Sequence, residues 1–273
     1  MAFTVWTALA LCAIGLAVGA FGTLIGAGGG FVLTPILLLL YPHDPPKTIT
    51  AISLAAVFAN ATSGSVAYAR QRRIDYRSGL VFATATLPGS ILAAIAVAHV
   101  GRRVFEGVMA AVLLALGVWL LAARPDLEGA GRSGQERVLV DATGQTHRYH
   151  VALAKGALYS LGVGFVSTFL GIGGGVMHVP LLVRALGFPV HVATATSHFV
   201  LAIMTGTATV THAVQGSFGV GHGLRRALAL ALGVVVGAQF GARVSLRLRG
   251  DVIERLLGVA LVVLAVRFAF VLF

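Results

Sequence analysis

Between Met1 and Pro42 the chain places no Asp, Glu, Lys or Arg. Further runs without these residues cover 48–69, 78–101, 107–123, 156–183, 185–224, 227–242 and 256–266. A helix crossing the hydrocarbon core of a bilayer needs about 20 mostly apolar residues. The runs 1–42, 156–183 and 185–224 exceed one span, and each holds internal Gly or Pro, which predicts broken or paired helices. The expected fold is an all-α polytopic membrane protein of roughly eight to ten helical segments. A β-barrel is disfavoured because 107–123 (GVMAAVLLALGVWLLAA) shows no alternation of apolar and polar residues.

Composition narrows the function classes. Hydrophobic residues make up 58% and charged residues 11% of the chain, against about 25% charged in a soluble domain. Mean hydropathy is +0.93. A cytosolic enzyme, a disordered chain and a secreted disulfide scaffold are thereby excluded. Cys12 stands alone, so neither an intrachain disulfide nor a CxxC metal site can form. The formal net charge of +11 would suggest nucleic-acid binding in a soluble protein. Here the arginines sit at the ends of apolar runs and serve membrane orientation instead. Lys47 is the first basic residue, so the first run lacks the positive flank of a signal peptide.

Only 124–150 reads as soluble. It divides the chain into a first transmembrane unit, 1–123, and a second, 151–273, with a polar linker between them on the membrane surface. Val138–Val140 is the one stretch in it expected to form a strand.

The two units repeat one pattern. Residues 19–35 read GAFGTLIGAGGGFVLTP and residues 164–180 read GFVSTFLGIGGGVMHVP. At an offset of 145 the identities are Gly19/Gly164, Thr23/Thr168, Gly26/Gly171, Gly28/Gly173, Gly29/Gly174, Gly30/Gly175 and Pro35/Pro180. The likeness continues at an offset of 144, where Ser53 meets Ser197 and Tyr68 meets His212. Gly/Pro-interrupted segments in corresponding places of two halves point to a transporter binding site. Non-helical backbone survives at membrane depth only where it faces protein or a wet cavity. A helix restarting at Phe31 or Val176 would aim its positive end at a ligand.

The paired GxGGG segments, the Ala-Thr-Ser-His stretch at 195–198 and the GAxxGA at 237–242 resemble the sulfite exporter TauE/SafE family. The resemblance spans nearly the whole chain apart from 124–150. It implies a bacterial inner-membrane, multi-pass transporter of sulfite, sulfonates or other small sulfur-containing anions, working by alternating access. The chain departs from its own pattern where Ile52-Ser53-Leu54 stands opposite Thr196-Ser197-His198.

The expected substrate-binding residues are Thr23, Gly26, Gly28, Gly29, Gly30, Ser53 and Asn60 in the first half. In the second they are Thr168, Gly171, Gly173, Gly174, Gly175, His178, Thr196, Ser197 and His198. Backbone N–H groups, hydroxyls and amides without fixed acid suit a small oxyanion better than a cation. No HExxH, clustered Asp/Glu or Cys pair is present, so no metal and no cofactor is expected. With no carboxylate at depth, any proton coupling would run through His178, His198 or His212. The expected partners are the anion and the lipid bilayer, with self-association open and nucleic acid excluded. Two alternatives remain at this stage: an intramembrane enzyme using Ser63 with His212, and a structural membrane subunit.

Basic residues concentrate in cytoplasmic loops. With 70–77 inside, 124–150, 184–191 and 243–255 are inside as well, while 43–46, 99–103 and 215–226 are outside. Equivalent loops of the two halves then lie on opposite sides, and the repeats are inverted. Arg102–Arg103 and Arg225–Arg226 run against this tally.

Overall fold

The computed structural model describes residues 3–122, 134–219, 222–248 and 250–272. It is an all-α membrane protein with one small hairpin. Ten helices appear among the described residues: α1 Val5–Leu24, α2 Gly30–Leu40, α3 Pro46–Arg70, α4 Tyr76–Ala96, α5 Arg102–Ala122, α6 Leu153–Phe169, α7 Gly175–Pro180, α8 Val190–Val214, α9 Gly223–Ser245 and α10 Gly250–Leu272. Strands β1 (Gln135–Val140) and β2 (Thr146–Val151) pair antiparallel with Gln135 opposite Val151 and Val140 opposite Thr146. The strand expected at 138–140 is therefore longer and part of a hairpin; residues 124–133 of the predicted linker lie outside the described residues. Helices α1, α3, α5 and α9, and α4 with its 3-10 extension to His99, are long and apolar enough to cross a membrane.

Helix starts follow local chemistry. Thr4 caps α1 through a reciprocal box with Thr7. Pro46 opens α3, where its missing N–H costs nothing. Asp75 caps α4, accepting from the Ser78 N–H at 3.1 Å and from its hydroxyl at 2.6 Å.

Small residues set the helix pairs. A Cβ on Gly233, Gly237 or Gly241 of α9 would fall 2.0–2.2 Å from the carbonyl oxygens of Cys12, Leu16 and Ala20 on α1. These contacts advance together along both helices, so α1 and α9 run parallel at backbone contact. Gly89 and Gly164 bring α4 and α6 together in the same way, against Leu161 and Thr86. Helices α3 and α8 instead run antiparallel, with Gly64 against His198 and Phe58 against Gly206. They form the centre of the molecule; α3 has the largest buried share of the five long apolar helices.

Polar contacts gather at two ends. At one, Arg226 pairs with Asp44 at 2.5 Å and lies 3.7 Å over the Tyr41 ring. There Arg102 donates to the carbonyls of Leu38, Tyr41 and Asp44 and pairs with Glu106 at 2.7 Å. At the other end the hairpin meets the α3–α4 loop, Gln71 donates to the Ala242 carbonyl, and Arg184 donates to Leu120. The loops thus sort into the two sets expected from sequence. Arg102 and Arg226, which ran against the basic tally, are bound to carboxylates and to the carbonyl end of α2, so their charge is neutralised locally.

Candidate functional site at the crossing of two broken helices

Two glycine-rich breaks separate α1 from α2 and α6 from α7. In the first, Gly26, Gly28 and Gly29 take φ of 79, 73 and 81°; in the second, Gly171, Gly173 and Gly174 take 70, 81 and 82°. This left-handed backbone is open to glycine and strained for other residues. The turns close alike: Gly26 N–H donates to Thr23 and Ala27 to Gly22, as Gly171 does to Thr168 and Ile172 to Ser167. The helices restart at Gly30 and Gly175, one residue earlier than the sequence suggested.

The two breaks touch. A Cβ on Gly30 would lie 2.6 Å from the Ile172 carbonyl oxygen, and one on Gly175 would lie 2.5 Å from that of Gly26. Each break also receives a hydroxyl from the other half. Ser53 of α3 donates to Gly171 at 2.8 Å, and Ser197 of α8 donates to Gly26 at 3.4 Å. The Thr34 hydroxyl lies 2.9 Å from Ser53 Oγ and 2.8 Å from the Gly171 carbonyl, so its single hydrogen is shared between these two acceptors. The N–H groups of Gly30, Phe31, Gly175 and Val176, at the starts of α2 and α7, have no hydrogen-bond acceptor among the described residues.

The sulfite exporter TauE/SafE profile matches residues 11–268. The chain belongs to this family. It is 29% identical to the probable membrane transporter protein YunE of Bacillus subtilis, over 93% of this chain and 94% of that one. It is 24% identical to a probable membrane transporter protein of Methanocaldococcus jannaschii, over 86% and 85% of the two chains. A Xylella fastidiosa protein, also named a probable membrane transporter, is 30% identical over 64% of this chain and 61% of its own. No solved structure matches. This chain is a membrane transporter of the TauE/SafE family.

Within the transporter, polar side chains gather on the first break. The Thr23 hydroxyl donates to Asn60 Oδ1 at 3.0 Å, and Asn60 Nδ2 donates to the Gly28 carbonyl at 2.9 Å. With its proton committed to Asn60, Thr23 accepts from His198 Nε2 at 3.3 Å. In this arrangement the hydrogen sits on Nε2, and Nδ1 is buried without a hydrogen-bond partner. Tyr68 donates to the Thr23 carbonyl at 2.6 Å and lies edge-on to His198, 5.4 Å between centroids. In the second half Thr168 is fully buried and its hydroxyl has no partner.

The crossing thus assembles Thr23, Ser53, Asn60, Ser197, His198 and the glycines of both breaks. Two expected residues lie apart. His178 Nε2 faces the Ser160 hydroxyl at 2.9 Å, with Phe82 edge-on to its ring. Thr196 sits at the hairpin end, accepting from the Asp75 N–H at 3.0 Å. Ser63 and His212 are not brought together: Ser63 donates to Val235, and His212 faces Ser217 at 3.3 Å. Sequence reasoning missed Thr34 and Tyr68 as members. Tyr68 had a signal in its match to His212; Thr34 had none beyond its place before Pro35.

The crossing itself is packed shut. A groove of about 610 Å³ lies between α3 and α8, lined by Phe58, Thr62, Ile203, Gly206, Thr207 and Val210. Ser63 and Gln239 border a smaller one of about 390 Å³ beside it.

Proposed function

We propose that this transporter carries a small sulfur-containing oxyanion, sulfite or a sulfonate, by alternating access at the crossing of its two broken helices. The observation that carries the reading is the pairing of two glycine breaks whose helix starts offer N–H groups without acceptors. Such groups favour negative charge through their partial positive charge and through the helix dipole. The polar side chains bonded into the crossing are hydroxyls, an amide and an imidazole, with no carboxylate among them. The family name supports sulfite as the member of this class to test first.

The closed packing of the crossing corresponds to an occluded state, in which the substrate space opens only as α3 and α8 shift against each other. The antiparallel run of α3 and α8 supports an inverted relation of the halves, and the basic hairpin end is the cytoplasmic one. His198 is the proton-coupling group of this reading, because it is the imidazole bonded into the Thr23 cluster through Nε2. Uptake of radiolabelled sulfite into proteoliposomes tests the function. Saturable uptake, competed by sulfonates and absent in empty vesicles, is the expected result; no uptake or efflux of any sulfur oxyanion tried would overturn it.

A further inference from the structure

Among the described residues the β1–β2 hairpin has no counterpart at the opposite end of the molecule. That end is held by Asp44 and Arg226, both next to membrane helices. The hairpin end is held from outside the helical halves. Asp141, at the hairpin turn, accepts from Arg73 Nε at 3.3 Å and Nη2 at 3.2 Å. It also accepts from the Thr143 N–H at 2.9 Å, the Thr143 hydroxyl at 2.5 Å and the Gln145 N–H at 3.1 Å, with His147 at 3.4 Å. The next residue, Ala142, donates its N–H to the Gln71 carbonyl at 2.9 Å. On the second strand, Tyr149 donates to Asp75 at 3.1 Å and packs on Phe188 at 4.8 Å between centroids. Arg137 of β1 stands 3.9 Å from the same Asp75.

One small hairpin therefore grips the α3–α4 loop at 71–75 and the α7–α8 connection at Phe188. That loop in turn reaches α9 through Gln71 and Ala242, and α8 through Asp75 and Thr196. Ser197, the next residue, is bonded to Gly26 in the crossing. Arg73 and Asp141 are both nearly inaccessible, 5% and 3% exposed.

We propose that the hairpin is a latch that keeps the basic end of the transporter closed, and that this end opens when Asp141 leaves Arg73 and the hairpin lifts off the α3–α4 loop. The proposal rests on the alternating-access reading only for its role in transport. The latch itself is a statement about one face of the protein. A buried arginine that loses its carboxylate is strongly destabilised where it stands. Removing the charge of Asp141 thus favours the arrangement in which water reaches Arg73.

The test uses the full chain with Cys12→Ala, in nanodiscs that leave both faces accessible. Ala195→Cys is the reporter: Ala195 is fully buried in a small cluster with Ala67, Tyr68, Ile74 and Ala242 beneath the gripped loop. Ala227→Cys, buried at the opposite end next to Arg226, is the control. Asp141→Asn should speed labelling at 195 by a membrane-impermeant thiol reagent at least about ten-fold. Tyr149→Phe, which loses one hydrogen bond to Asp75, should speed it about three-fold. Labelling at 227 should stay constant in both. Unchanged labelling at 195 overturns the latch, as does an equal rise at 227, which marks general loosening. If Asp141→Asn does not accumulate in the membrane, Tyr149→Phe alone decides. The readout needs no substrate, so a latch without sulfite flux would sink the transport reading alone, and flux without a latch effect would sink the latch alone.

Discussion

Thr23 and Thr168 occupy the same place in the two halves, and their surroundings differ at every corresponding position. Around Thr23 stand Asn60, His198 and Tyr68, and each makes a hydrogen bond to it. At an offset of 144, Asn60 corresponds to Met204, Tyr68 to His212, and Leu54 to His198. Met204 lies against Gly174, at 2.8 Å from a Cβ built there, and brings no donor to the second break. The threonine of the first break is therefore hydrogen-bonded to its neighbours and that of the second is not, while both breaks take hydroxyls from the opposite half, Ser197 at Gly26 and Ser53 with Thr34 at Gly171. Hydrogen-bonded polar groups in a low-dielectric interior fix geometry, because leaving any one of them unpaired is costly. A thioether adapts to changes of shape at little cost. The Thr23 hydroxyl is committed to protein partners, whereas the Thr168 hydroxyl is buried without one.

The largest effect should come from closing the space both breaks share. Gly175→Ala puts a methyl group into the backbone of Gly26 and Ala27. Gly30→Ala does the same against Ile172. Either change should abolish sulfite flux in proteoliposomes while most of the protein still reaches the membrane. Near-normal flux in both would mean that the breaks do not need to touch.

A swap of the asymmetric pair sharpens the comparison. Asn60→Met copies the second half onto the first. It leaves the Gly28 carbonyl and the Thr23 hydroxyl without their partner, at about 1–3 kcal/mol for each buried group. The thermal unfolding midpoint in detergent should fall by several degrees, and flux should drop at least about ten-fold. Met204→Asn, the reverse swap, offers Thr168 a partner, and should slow turnover while sparing stability.

Smaller still is the contrast between the threonines. Thr23→Val should destabilise by about 1–3 kcal/mol, because two buried partners are orphaned. Thr168→Val removes a hydroxyl with no partner and should be close to neutral for stability, within about 1 kcal/mol, while weakening anion binding. Equal stability losses in calorimetry would erase the difference drawn between the breaks.

The smallest effect concerns acid. Burial raises the pKa of Asp141, but the bonds from the Thr143 side chain, the backbone of Thr143 and Gln145, and His147 outweigh it and hold the carboxyl well below the usual range. A depressed pKa contributes stability that is complete above the unfolded value of about 3.9 and is lost only as pH falls through the lower folded value. Through Asp141, hairpin docking should therefore not change between pH 7.5 and pH 5, which the rate of thiol labelling at position 195 divided by that at position 227, taken at each pH to remove the thiolate's own pH dependence, would register as a constant ratio.

Much of this was legible in the residues. The twin GxGGGxxxxP segments located both breaks; Ser53 and Ser197 matched in sequence, and the structure makes them a reciprocal pair of hydroxyls. The departure of Leu54 from His198 marked the asymmetry before its meaning was visible: His198 crosses to the first half. His178 and Thr196 bond to Ser160 and Asp75, away from the crossing, because side-chain direction depends on where a helix restarts and how it is turned, which spacing alone does not fix. The latch was invisible for another reason. Arg73 and Asp141 are 68 positions apart, and a single ion pair across such a distance leaves no periodic trace.

The central claim is that a small oxyanion binds where the two breaks meet. Equilibrium binding of radiolabelled sulfite to the purified protein tests it most directly, comparing the wild type with Thr168→Val and Gly175→Ala. The account predicts saturable binding in the wild type, weakened about ten-fold in Thr168→Val, for one hydrogen bond to a charged ligand, and lost in Gly175→Ala. Undiminished binding in both variants would contradict it.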